Sequence, residues 1–153
     1  MYPIRFFLAI LSLALSAGVA AESAVSLNSA WVRALPPTQP NTAAYLTIEN
    51  AGTEAVEIVS AKAAIAGRVE FHTTREVDGY VRMEQLTTLK VAAGQSLALA
   101  PGGAHLMLLG LTAMPSPGDS VRLCLTPASG PEVCTDAPVR KNAADNTHQH
   151  HHH

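Results

Sequence analysis

The run PGGAHLMLLGL, Pro101 to Leu111, sets His105 and Met107 among leucines and glycines. Successive side chains of a strand point to opposite faces, so His105 and Met107 share one face while Leu106 and Leu108 share the other. A second histidine and methionine occur in VEFHTTREVDGYVRMEQL. Asp78-Gly79 is a strong signal for a two-residue hairpin turn, which pairs Val77 with Tyr80 and sets Thr74 opposite Met83. His72 then lies diagonal to Met83 on one face, roughly 7–8 Å away between backbones and within reach of long side chains. Val69, Phe71 and Leu86 fall on the other face and read as core.

A lone methionine in a β domain is ordinarily packing, and a lone histidine is ordinarily hydrogen-bonded or solvated. The joint pattern is harder to assign to packing. Outside the C-terminal tail the only histidines are His72 and His105, each sharing a face with a methionine. Beyond Met1, only Met114 stands apart from this arrangement. Two imidazoles with two thioethers suit copper: thioether is soft, selects Cu(I), and is a poor ligand for zinc, magnesium or calcium. Imidazole also accepts Cu(II), whereas a zinc site would more naturally add thiolates or carboxylates.

The elements that must position these residues read as strands. Short apolar-polar alternations are separated by LPPTQPN, NAGTEA, VDGY, AAGQS, APGGA and MPSPGD, and each break carries residues with a turn-forming backbone preference. Strands are predicted at residues 26–35, 43–50, 56–61, 68–74, 80–86, 89–91, 96–99, 105–109, 120–125 and 132–139. The alanines of AKAAIAGRVE, closed by Gly67, predict a short helical turn there. The whole is expected to be all-β, a sandwich or small barrel of short antiparallel strands.

The spacing His72, ten residues, Met83, twenty-one residues, His105, one residue, Met107 resembles the H-x10-M-x21-H-x-M signature of the periplasmic CuA chaperone family, PCuAC. AWVRALPPTQPNTAAYLTIENAG and PGGAHLMLLGL are similar to that family's other recurrent stretches, and the likeness runs from Val25 to Leu125. The resemblance implies a cupredoxin-like, immunoglobulin-like β-sandwich that binds Cu(I) at an exposed site. It further implies delivery to the CuA centre on subunit II of cytochrome c oxidase, in the company of a thioredoxin-like copper chaperone. Some family members carry a second methionine directly after the first histidine; here that place is Thr73, which leaves four candidate ligands.

Residues 1–21 read as a secretory signal peptide: one basic residue, Arg5, then an apolar run, then the small residues Ala17 to Ala21. The apolar segment is shorter than the ~20 residues a membrane span needs, and no cysteine stands near the cleavage site for a lipid. Export to the periplasm, with no membrane insertion after processing, is the expectation. Residues 22–140 make one domain, and residues 141–153 a flexible tail holding His148, His150, His151, His152 and His153. That histidine tract, read as native rather than as a purification tag, offers nitrogen donors without sulphur and so favours Cu(II).

Cys124 and Cys134 flank a hairpin centred on Ser129, which puts them opposite each other at a separation suited to a disulfide. Export favours that bond; a thiol pair for copper or redox exchange is the alternative. The net charge of −2 with 14% charged residues and no basic cluster excludes the electrostatic footprint of a nucleic-acid binder. No nucleophile-base-acid set is evident, so the chain reads as a carrier rather than an enzyme. A monomer is expected, with a copper-bridged dimer as the alternative. Copper storage or resistance, a blue-copper electron carrier and a metal-free interaction module are the competing functions.

Overall fold

The computed structural model describes residues 24–144. The leader and the histidine tract therefore lie outside the described residues. Ten strands follow one another: β1 (Val25–Arg33), β2 (Thr42–Asn50), β3 (Val56–Ala63), β4 (Ala66–Val77), β5 (Tyr80–Leu86), β6 (Leu89–Val91), β7 (Ser96–Leu99), β8 (His105–Leu111), β9 (Ser120–Pro127) and β10 (Val133–Arg140). The described residues contain no helix.

The strands run in the spatial order β5-β4-β8-β2-β1-β10-β9-β3-β6, with β7 pairing along β2 beyond β8. All pairings are antiparallel except one, the short parallel contact of β1 with β10 through Val32 and Val139. That contact joins a front sheet (β5, β4, β8, β2, β1, β7) to a back sheet (β10, β9, β3, β6). Between them lies a cupredoxin-like sandwich core: Val32, Leu46, Ile48, Phe71, Leu106 and Leu108 from the front, and Ile58, Leu123, Leu125, Ala137 and Val139 from the back. Burying such branched side chains from both inner faces, at ~25 cal/mol per Å² of apolar surface, is the main term holding the layers together.

The helical turn expected in AKAAIAGRVE does not form. β3 continues to Ala63, residues 64–65 make a tight turn, and β4 begins at Ala66. The alanines serve a different purpose from helix formation. Ala61 and Ala63 are buried where the chain crosses from the back sheet to the front, and their small size lets the layers approach. Gly67 is likewise not a cap: a Cβ there would stand 3.4 Å from the Gly110 carbonyl oxygen of the neighbouring β8.

One irregularity bears on the outer face of the front sheet. In β1 the register against β2 shifts between Asn28 and Trp31, with Ser29 at φ 53°. This β-bulge adds one residue to β1, and a one-residue slip exchanges the two faces of a strand. Val25 and Leu27 point to the core before it, Ala30 and Val32 after it. Trp31 and Arg33 are thereby turned onto the outer face, beside Tyr45 of β2.

Candidate metal centre

Asp78 (φ 53°) and Gly79 (φ 76°) both take the left-handed conformation that a tight hairpin of matching twist requires. They set Val77 opposite Tyr80 and Thr74 opposite Met83, so Met83 of β5 shares the outer face with His72 of β4. On its other side β4 pairs with β8, where His72 stands opposite His105 and Glu70 opposite Met107. Three adjacent strands thus gather His72, Met83, His105 and Met107 on one face. The imidazole centroids are 6.1 Å apart. His105 is buried, Met107 half-buried, and Met83 the most open at 55% exposure.

Both imidazoles are held by partners on one nitrogen. His105 Nδ1 lies 2.9 Å from the Gly103 carbonyl oxygen; a carbonyl only accepts, so Nδ1–H donates, and in the neutral ring Nε2 keeps its lone pair. His72 Nε2 is 2.8 Å from Glu70 Oε2. Arg68 Nε donates to the other carboxylate oxygen at 2.8 Å. The hydrogen bond with His72, followed by that with Arg68, holds the Glu70 carboxyl below the usual carboxylate range. An ionised carboxylate accepts, so His72 donates from Nε2, and in the neutral ring its lone pair is on Nδ1. That Nδ1 is buried and has no hydrogen-bond partner. A buried acceptor left open costs free energy, and a carboxylate behind the opposite nitrogen is the usual support of a metal-binding histidine. The residues present therefore fit a soft cation.

A pocket of about 400 Å³ opens beside these groups, lined by Met83, His105 and Met107 together with Arg33, Tyr45 and Thr74; His72 is not in its wall. Trp31 and Tyr45 pack with ring centroids 4.5 Å apart, and Tyr45 lies 6.3 Å from the His105 ring. The Arg33 guanidinium covers both aromatic rings at 5.9 and 5.4 Å. Burial pushes the Tyr45 phenol above its ordinary value, the Arg33 charge opposing in part. Trp31, Arg33, Tyr45 and Glu70 were not singled out by the sequence pattern. Glu70 could have been found from its i, i+2 spacing to His72, but Trp31 and Arg33 depend on the bulge.

Cys124 and Cys134 face each other across β9 and β10 and form a disulfide, S–S 2.04 Å with Cα atoms 4.0 Å apart. The bond belongs to the back sheet. It leaves the chain, whose only cysteines these are, without a thiolate.

A family model described as "Putative lipoprotein LpqE-like" matches residues 25–139. The chain belongs to the LpqE-like family. Among individual relatives, "Putative lipoprotein Lxx21020" of Leifsonia xyli subsp. xyli is 31% identical over 117 residues, spanning 76% of this chain and 69% of that protein. Solved structures of similar fold include the copper-bound PCuAC domain from PmoF2, with a TM-score of 0.67 and 20% identity over 80% of this chain and 97% of that domain. Apo-DR1885 from Deinococcus radiodurans has a TM-score of 0.61 and 29% identity, over 93% of this chain and 95% of that one. Its Cu(I) form is also similar, with a TM-score of 0.58 and 28% identity over 84% of each chain. This LpqE-like chain thus shares the fold of the PCuAC domains.

Proposed function

We propose that this LpqE-like protein is an extracytoplasmic copper carrier that binds Cu(I) through His72, Met83, His105 and Met107. The observation that carries the reading is the outer face of β5, β4 and β8. Two imidazoles, each tied at one nitrogen and open at the other, stand beside two thioethers there. All four donors are neutral and two are soft, which favours the monovalent ion. Copper-bound PCuAC structures of the same fold add support. Copper is cargo in this reading: the open thioether of Met83 lets a partner's ligand enter and the metal leave. A blue-copper role would need a cysteine thiolate, and both sulphurs are committed to each other.

The acceptor is the CuA centre of cytochrome c oxidase subunit II, with a thioredoxin-like copper chaperone as a companion. The domain, residues 22–140, follows a signal peptide, residues 1–21, and works in the periplasm. The relatives' names speak of lipoproteins, whereas the leader of this chain has no cysteine to carry a lipid. His148 and His150 to His153 bind Cu(II) and raise the local copper concentration.

Competition of the exported chain against a Cu(I)-specific chelator tests the site. Tight one-to-one binding that is lost in Met83→Ala with Met107→Ala is expected; binding that survives both substitutions would sink it. A transfer assay to the apo CuA domain separates delivery from storage. Deleting residues 142–153 is expected to lower Cu(II) stoichiometry while leaving the Cu(I) site intact.

A further inference from the structure

The pocket beside the His/Met face contains one full charge and nothing to balance it. Arg33, the last residue of β1, lines it, and no Asp or Glu does. The ion pairs of the described residues use other cations: Lys62, Arg68, Arg75, Lys90 and Arg122. Arg33 Nε is buried with no hydrogen-bond partner. Stacking on Trp31 and Tyr45 holds the guanidinium in place but supplies no acceptor for its N–H groups. The wall is also fixed to this residue, since Thr42 Oγ1 donates to the Arg33 carbonyl at 2.6 Å. Asn41 Oδ1 accepts from the Gly110 amide at 3.0 Å, which leaves the Asn41 NH2 as a further donor at the rim.

A half-buried cation without a counter-charge is costly, and a planar guanidinium pre-oriented by stacking matches a carboxylate in two parallel hydrogen bonds. The imbalance grows on loading, because four neutral donors would add the charge of Cu(I) beside the pocket, and the carboxylate behind His72, Glu70, is already paired with Arg68. We propose that this pocket is a carboxylate-binding site in which Arg33 receives the anion beside the metal. The carboxylate belongs either to an acidic side chain of the protein exchanging copper or to a small organic acid. Its chemistry is the same in both cases, and it supplies the missing negative charge while the metal is bound. This coupling rests on the copper reading; the anion site itself does not.

Trp31 is the only tryptophan of the chain and lies beneath Arg33, so its fluorescence reports the site directly. The copper-free protein is titrated with sodium acetate and, separately, with acetyl-Gly-Glu-Gly-amide, at constant ionic strength held with sodium perchlorate. Saturable changes in Trp31 emission and in the Arg33 Nε–H resonance are expected, weakened in Arg33→Lys and abolished in Arg33→Gln. Tighter binding of the peptide identifies a protein side chain as the source, and equal binding a free acid. No saturable change with either probe, or the same change in folded Arg33→Gln, overturns the proposal; the Arg33→Lys comparison serves if Arg33→Gln does not fold. Cu(I) affinity is then measured with and without the better probe. Linkage requires each ligand to strengthen the other by one common factor, at least ~5-fold if the coupling is of the usual size. Anion binding without Cu(I) binding would refute the copper role and leave the anion site standing. Cu(I) binding with no Arg33-dependent anion would do the reverse.

Discussion

Replacing Met83 by alanine separates metal binding from folding more cleanly than any other change on this face. Met83 sits on β5, whose side chains are exposed except for the partly buried Leu86, and is itself 55% exposed. Surface substitutions of this kind change stability by about 0.5 kcal/mol or less. For a domain of this size unfolding entropy makes 1 kcal/mol worth about 4 °C, so Tm should move by about 2 °C at most. The contribution expected from the proposed copper ligand is of another order. Removing a group that merely supports a metal ligand typically lowers affinity 10- to 100-fold, and removing a donor atom should cost at least the lower figure. Met107→Ala provides the contrast. Its side chain is half-buried on β8, between Ala43 and Glu70 in register. Roughly half of the ~2–5 kcal/mol lost on truncating a fully buried methionine is expected in addition to the loss of copper affinity. Thermal unfolding of the copper-free proteins and chelator competition with Cu(I), run on both variants, give the four numbers needed. Unchanged Cu(I) affinity in folded Met83→Ala would show that this thioether is no donor. A Tm loss matching that of Met107→Ala would show that β5 packs more firmly than its exposure implies.

Glu70→Ala removes the carboxylate behind His72 Nε2 and should lower Cu(I) affinity about 10- to 100-fold, with Glu70→Gln, which keeps an acceptor oxygen, falling between it and the parent in the same competition assay. Cys124→Ser with Cys134→Ser opens a crosslink spanning ten residues; chain entropy puts its stabilisation at about 2.7 kcal/mol, a Tm loss of about 11 °C. Cu(I) affinity should not follow, because the bond lies in the back sheet. The Tyr45 phenol, raised chiefly by burial, should ionise above pH 10. The folded state holds that proton more tightly than the unfolded chain, so the associated stability is present below pH 10 and lost as pH rises through the folded value. Difference absorbance between the parent and Tyr45→Phe across an alkaline titration isolates this step, and a step at or below 10 would contradict the burial argument.

The arrangement of the strands was legible wherever the signals were local. Asp78-Gly79 dictated the hairpin and its register, which set Met83 on the face of His72, and the alternation in HLML put His105 and Met107 on one side of β8. The meeting of those two halves was not legible, since the pairing of His72 with His105 joins strands separated by β5, β6 and β7. Spacing alone does not specify which strands become neighbours. The alanines of AKAAIAGRVE misled because helix propensity is a weak prior that tertiary packing overrides, here the need for small side chains at the crossing between layers. Trp31 and Arg33 were invisible for another reason. Strict alternation in β1 would have placed them on the wrong face relative to Val25, and only the extra residue at Ser29 moves them beside Tyr45.

The position of β5 at the end of the strand order has a kinetic consequence. It has β4 as its one neighbour, whereas β8 is held on both sides. Edge elements with little buried surface open locally at a fraction of the global unfolding free energy. The four proposed donors are therefore anchored unequally: His72, His105 and Met107 stand on strands paired on both sides, and Met83 stands on the edge strand of the β4–β5 hairpin. On the proposed copper reading the edge strand is where local opening would first free a donor, so loss of the ion is expected to follow the opening of β5 rather than unfolding of the whole domain.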